Sequence, residues 1–111
     1  MVAATADAGP DAVFRALADP SRRAIFERLT AGETAVKDLT AAVAISQPAV
    51  SQHLAALRAA GLVAERRDGR LVYYRVDPRG LRPLVDWLTH YQRFWHAKLA
   101  RLGALLEDLD P

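Results

Sequence analysis

A mainly helical fold carrying one β-hairpin, with five helices, is what this sequence of 111 residues predicts. Three observations predict it. Apolar residues recur every three or four positions along most of the chain. The period drops to two in "LVAERRDGRLVYYRV", Leu62 to Val76, and a long apolar stripe returns after Pro78. The length suits one folding unit, expected over residues 11–111 behind a small, polar, mobile tail at 1–10.

Each element has its own local signal. Asp11 to Leu17 forms a short helix with Val13, Phe14 and Leu17 on one side. In "ADPSRRAIFERLTAG" Asp19 caps a second helix, Pro20 takes its first position and Gly32 closes it. Ile25, Phe26 and Leu29 are its core face. Thr34 is expected to cap a third helix, "AVKDLTAAV", with Val36, Leu39 and Val43 inward. Ser46 caps the fourth, which ends at Gly61. The few residues around Ala44 leave room only for two helices crossing steeply. Asp68-Gly69 then reads as a type I′ hairpin turn, with positive φ at both central residues. The last helix is expected to run from about 79 to 108, about 45 Å if unbroken.

The stretch "ISQPAVSQHLAALRAAGLV", Ile45 to Val63, carries the functional signal. At about 100° per residue, Val50, Leu54 and Leu57 share one narrow arc that must face the core. The opposite side presents Pro48, Gln52, Ala55 and Ala59, flanked by Ser51, Ala49 and Ala56, with Gln47 near the start. A solvated face is ordinarily rich in Glu and Lys, and this one is small and nearly uncharged. Small residues let a helix lie deep in a groove, where Gln reads adenine through N6 and N7 and Ser serves any base edge. A short helix before a tight turn, this helix, then an arginine-tipped hairpin make a helix-turn-helix with a wing.

Charge agrees with a polyanion partner. The chain carries only +2 overall, but residues 46–82 hold seven arginines against Glu65, Asp68 and Asp77. Arg66, Arg67 and Arg70 cluster at the expected wing tip, which suits phosphates or a narrow minor groove. Arg58 is divided between a phosphate contact and solvation. His53, about 60° from the centre of the apolar arc, is divided between the edge of the core and a DNA contact.

These features resemble the ArsR/SmtB family of bacterial winged-helix repressors from about Val13 to Glu107. The resemblance rests on "ALADPSRRAIFERL", "ISQPAVSQHLAALRAAGLV" and "RRDGRLVYYRV". It implies that Ser46 to Arg58 is a recognition helix for the major groove, that the hairpin approaches the minor groove or backbone, and that a homodimer reads an inverted repeat. Ser46, Gln47, Pro48, Ser51, Gln52, His53, Arg58, Arg66, Arg67 and Arg70 are then the expected double-stranded DNA contacts. Ala44 stands where the family commonly has Gly, and a left-handed Ala costs about 1–2 kcal/mol.

The final helix is apolar over too wide a surface for a small fold to bury. Leu81, Val85, Leu88, Trp95, Leu99, Leu102 and Leu106 form its stripe, and Leu84, Tyr91, Phe94 and Leu105 broaden it. A symmetric partner is the economical cover, with Val13, Phe14 and Leu17 joining the interface. Trp87, Tyr91, Phe94 and Trp95 either pack within that interface or line a site for an apolar small-molecule effector.

Other functions are disfavoured. The absence of cysteine excludes disulfides, thiolate ligands and thiol redox sensing. Asp86 and His90 are four apart, and two ligands do not close a zinc site, so no metal or cofactor is expected and "WLTHYQRFWHAKL" looks like a non-metal branch of the family. No membrane span, signal peptide, phosphate loop or nucleophile motif is present. A cytoplasmic regulator, not an enzyme, is expected. A protein-binding winged helix and a metal-responsive repressor are the alternatives.

Overall fold

In the computed structural model, residues 10–109 are described; the expected tail lies outside them except for Pro10. Helices α1 (Asp11–Ala18) and α2 (Pro20–Leu29) lead to a two-residue strand β1 (Thr34–Ala35), then α3 (Val36–Val43) and α4 (Gln47–Ala59). Strands β2 (Val63–Asp68) and β3 (Leu71–Val76) form the hairpin. A 3₁₀ turn (Pro78–Leu81), α5 (Arg82–His90) and α6 (Gln92–Leu109) complete the chain. The sheet is antiparallel in the order β1-β3-β2.

Local chemistry fixes the helix ends. The Asp19 carboxylate accepts the Arg22 N–H at 3.0 Å, and Pro20 occupies the first turn of α2. The Ser46 hydroxyl accepts the Ala49 N–H at 3.2 Å at the start of α4. At its end, the Leu62 N–H reaches the Leu57 carbonyl at 3.0 Å and the Gly61 N–H reaches that of Arg58 at 2.9 Å, the paired closure that a left-handed Gly permits. Between α3 and α4, Ala44 is itself left-handed at φ 57°, ψ 36°. Its methyl group makes that turn costly by about 1–2 kcal/mol.

The core lies where these helices meet the sheet. Ile25 and Leu29 of α2, Leu39 of α3, and Val50, Leu54 and Leu57 of α4 pack with Leu62, Val63 and Tyr74. Val13 and Ala16 close it from α1. Val13, expected at a subunit interface, is thus inside this chain's own core, 2 % exposed.

Three regions differ from the sequence expectation. Thr34 does not cap α3: it belongs to β1, pairs with Tyr74, and its hydroxyl donates to the Gly32 carbonyl. Ala35 takes the cap position instead, without a side-chain bond. Asp68 pairs with Leu71, so the two-residue hairpin loop is Gly69–Arg70. Positive φ occurs there at Gly69 but not at Arg70, the pattern of a II′ turn and not I′.

The third difference is the long final helix, which is broken twice and raises the helix count from five to six. Pro83 would clash with the Arg79 carbonyl in a continuous helix, so Pro78–Leu81 tightens into a 3₁₀ turn and Pro83 sits in the first turn of α5. The second break is at Tyr91, φ −104° and ψ 20°, after Thr89 and His90, a run of weak helix formers. No residue of α5 or α6 is buried. The radius of gyration, 17.5 Å, exceeds the value of about 13 Å for a compact chain of this size.

The wing's exit is pinned by a glycine contact that the sequence did not announce. Gly80 lies so close to Gly61 that a Cβ there would overlap the Gly61 carbonyl. Gly80→Ala is expected to lower stability by about 2–3 kcal/mol, read as a lower urea midpoint with an unchanged slope. An unaltered midpoint would show that the contact does not hold the wing to the end of α4.

Candidate nucleic-acid interface

The inner arc of α4 is fully buried, with Val50, Leu54 and Leu57 at 0 % exposure. The outer face is therefore the one the sequence indicates: Gln47, Pro48, Ser51, Gln52, Ala55 and Ala59 are exposed, and Ala49 and Ala56 are half-buried on its flanks. Ser46 and Arg58 are exposed at the two ends. His53 is half-buried on the side of Asp19. The Arg22 backbone N–H chiefly holds the Asp19 carboxyl below its ordinary value.

Strand register divides the wing arginines. Arg66 pairs with Tyr73 and Arg67 with Val72, so adjacent side chains leave opposite faces. Arg66 grips Glu33 in the loop before β1, with Nη2 at 2.7 Å from Oε1 and Nε at 3.1 Å from Oε2. Its guanidinium also lies 4.5 Å from the Tyr73 ring centre, a cation–π contact. This pairing holds the Glu33 carboxyl below its ordinary value and raises the Arg66 guanidinium.

The other face of the hairpin turns toward α4. Glu65 lies 3.4 Å from Arg58 Nη1 and 3.6 Å from Arg67 Nε. The buried Tyr74 hydroxyl donates to it at 3.0 Å. Burial first, and this bond second, push the Tyr74 phenol above its ordinary value. Arg70 alone of the three arginines sits at the turn. The expected cluster is thus three separate placements: one on each face of the strand and one at the tip.

Between the wing, the start of α3 and the start of α4 runs a groove of about 380 Å³. Gln47, Ser51, Arg67 and Arg70 line it together, with Glu65, Lys37 and Tyr74. Ser46, Pro48, Gln52, His53, Arg58 and Arg66 are not among its lining residues. Lys37 was missed by sequence reasoning, because a single lysine on an amphipathic helix carries no motif. The arrangement sets an amide, hydroxyls and cations along one concave surface, which is what base edges and phosphates require.

A second surface lies on the terminal helices. Phe14 meets Trp87 edge-on at 5.7 Å, and Trp87 contacts Tyr91 at 5.4 Å and Trp95 at 6.0 Å. Phe94 packs on Trp95 at 5.1 Å. Of the residues expected at an interface, Phe14, Leu88, Tyr91, Leu99, Leu102 and Leu106 are exposed, whereas Leu17, Leu84 and Trp95 are half-buried. Phe14, Trp87, Leu88, Trp95 and Leu99 border an apolar groove of about 650 Å³, and the buried Trp95 indole N–H has no acceptor among the described residues. Among the described residues, no three His, Asp or Glu side chains gather where a metal could sit. No helix there is long and apolar enough to cross a membrane.

The model of a family described as bacterial regulatory protein, arsR family, matches residues 19–65, from the cap of α2 to Glu65 of the wing. The chain is 44% identical over 99 residues to the HTH-type transcriptional regulator Rv2034 of Mycobacterium tuberculosis, covering 89% of this chain and 90% of that one. It is 44% identical over 102 residues to the arsenical resistance operon repressor of Escherichia coli, covering 90% and 84%. A solved ArsR-like transcriptional regulator from Rhodococcus sp. RHA1 superposes with a TM-score of 0.71 at 29% identity, covering 94% of this chain and 96% of that one.

The lowered carboxyls of Asp19, Glu33 and Asp77 make stability acid-sensitive. Each contributes stability above its ordinary value that is lost as pH falls through the lowered one. For Glu33 that ordinary value is 4.5. The melting temperature is expected to fall below that pH, and Glu33→Gln to make the fall shallower. Parallel curves for the two proteins would show that the Glu33–Arg66 pair contributes nothing to holding the wing.

Proposed function

Since the chain belongs to the arsR family of bacterial regulatory proteins, we propose that it represses transcription as a homodimer bound to an inverted-repeat operator. It is a DNA-binding transcriptional regulator and not an enzyme. The observation that carries the finer reading is the outer face of α4. With its apolar arc buried, that helix offers small residues, amides and a hydroxyl beside a groove that also holds Arg67 and Arg70.

In this reading α4 enters the major groove, where Gln47, Ser51 and Gln52 read base edges. Ser46, Pro48 and His53 border that contact. Arg70 of the wing meets the backbone or minor groove, as do Arg58, Arg66 and Arg67 when their carboxylate partners yield. The apolar surface of Phe14, Leu88, Tyr91, Trp95, Leu99, Leu102 and Leu106 pairs with its copy, flanked by Leu17 and Leu84. Two recognition helices then lie about 34 Å apart, one turn of DNA. The protein acts in the cytoplasm on the promoter of its own gene. An apolar small molecule with a hydrogen-bond acceptor fits the groove bordered by Trp87 and Trp95, near Tyr91 and Phe94, as effector.

Gln52→Ala tests base readout. On the inverted repeat that the protein selects from a pool of random duplexes, the variant is expected to lose about 1–3 kcal/mol, roughly tenfold to a hundredfold in affinity. Binding to an arbitrary duplex should change little. Equal losses on both would remove Gln52 from base recognition.

A further inference from the structure

Most guanidinium groups around the helix-turn-helix and wing already face a carboxylate. Arg66 has Glu33 at 2.7 Å, and Arg79 has Asp77 at 2.9 Å. Arg58 and Arg67 share Glu65. A cation held by a carboxylate must exchange that partner before it serves a phosphate, so its net gain is reduced. Among the described residues, two cations that line the groove have no carboxylate within ion-pair distance: Arg70 at the hairpin turn and Lys37 in the first turn of α3. Both side chains are exposed. They approach from different elements, and Gln47 and Ser51 of α4 line the same space.

The two kinds of side chain suit different parts of a nucleic acid. Gln47 and Ser51 are carried on a helix whose roll is fixed by its buried arc, so the face from which they project is set. Lys37 is a flexible point charge with three rotatable donors, which suits a phosphate oxygen better than a base edge. The helix before a recognition helix is also the one that crosses the DNA backbone.

Resting on the reading that this chain binds DNA through α4, we propose that the groove seats a backbone phosphate, with Lys37 of α3 as a contact beside Arg70. Lys37 fixes the depth and register of α4 while carrying no sequence information itself. Each Lys37 in the complex then releases counterions as a neutralised phosphate does, and steepens the salt dependence of binding accordingly.

The test uses the full chain and a short fluorescent duplex of arbitrary sequence, with affinity read by anisotropy over a series of salt concentrations. Lys37→Ala is expected to flatten the plot of log K against log salt by about 0.9 for each Lys37 in the complex. Lys37→Arg keeps the wild-type slope. Lys98→Ala, which removes the chain's other lysine from α6, also keeps it. On the selected operator Lys37→Ala loses the same factor as on the arbitrary duplex. A wild-type slope in Lys37→Ala, with an unchanged melting curve, overturns the phosphate seat. A loss confined to the operator overturns it too, by making Lys37 a base contact. A wild-type chain that binds no duplex at low salt overturns the DNA reading itself, and the seat with it.

Discussion

Val50, Leu54 and Leu57 lie along one side of α4 with no exposed surface, and burying each such side chain contributes about 1.5–3 kcal/mol. Rolling the helix by one residue turns it by about 100°. That would bring leucines to the surface and press Ser51 in one direction, or His53 in the other, into the apolar core. The roll of α4 is therefore set by its inner face, and its outer face follows. The Ser46 cap and the Gly61 closure fix where that face begins and ends. Everything proposed about recognition depends on this helix being held from behind.

The wing is held by different means. An isolated two-stranded hairpin is marginal in water, and here β1 adds a third strand through Thr34 and Ala35. Two carboxylates then set its lean: Glu33 ties Arg66 on one face, and Glu65 joins Arg67, Arg58 and Tyr74 on the other. Exposed pairs of this kind add little net stability, so they orient the wing more than they stabilise the fold. The close approach of Gly80 to Gly61 fixes the far end of the hairpin against the end of α4. Helix and wing consequently present their groove as one surface.

What the sequence disclosed was local. Asp19, Pro20 and Ser46 are caps whose partners lie three residues away, and the buried arc of α4 is a matter of spacing within one helix. Ala44 was legible as the turn residue because the two apolar patterns on either side leave it no other place. The misses are nonlocal or concern register. Strand β1 is two residues long and has no period to read. The grip of Glu33 on Arg66 spans 33 positions, so the arginines were grouped by proximity in sequence although strand alternation separates Arg66 from Arg67. The hairpin shifted by one residue because Asp68 still pairs with Leu71. The break before α5 had a signal, Pro83 five residues after Pro78, that the continuity of the leucine stripe outweighed.

The terminal helices leave an apolar surface that nothing else among the described residues covers. All but one of the exposed large hydrophobics in the described residues lie between Val85 and Leu109, and the remaining one is Phe14 on α1. A second copy that covers this surface would also give the two-fold spacing of recognition helices that an inverted repeat demands. Footprinting the purified protein on the DNA upstream of its own gene, with and without excess chelator, tests that account most directly. It predicts a protected inverted repeat, with half-sites about one helical turn apart, unchanged by chelation. No protection at physiological salt in either condition would contradict it.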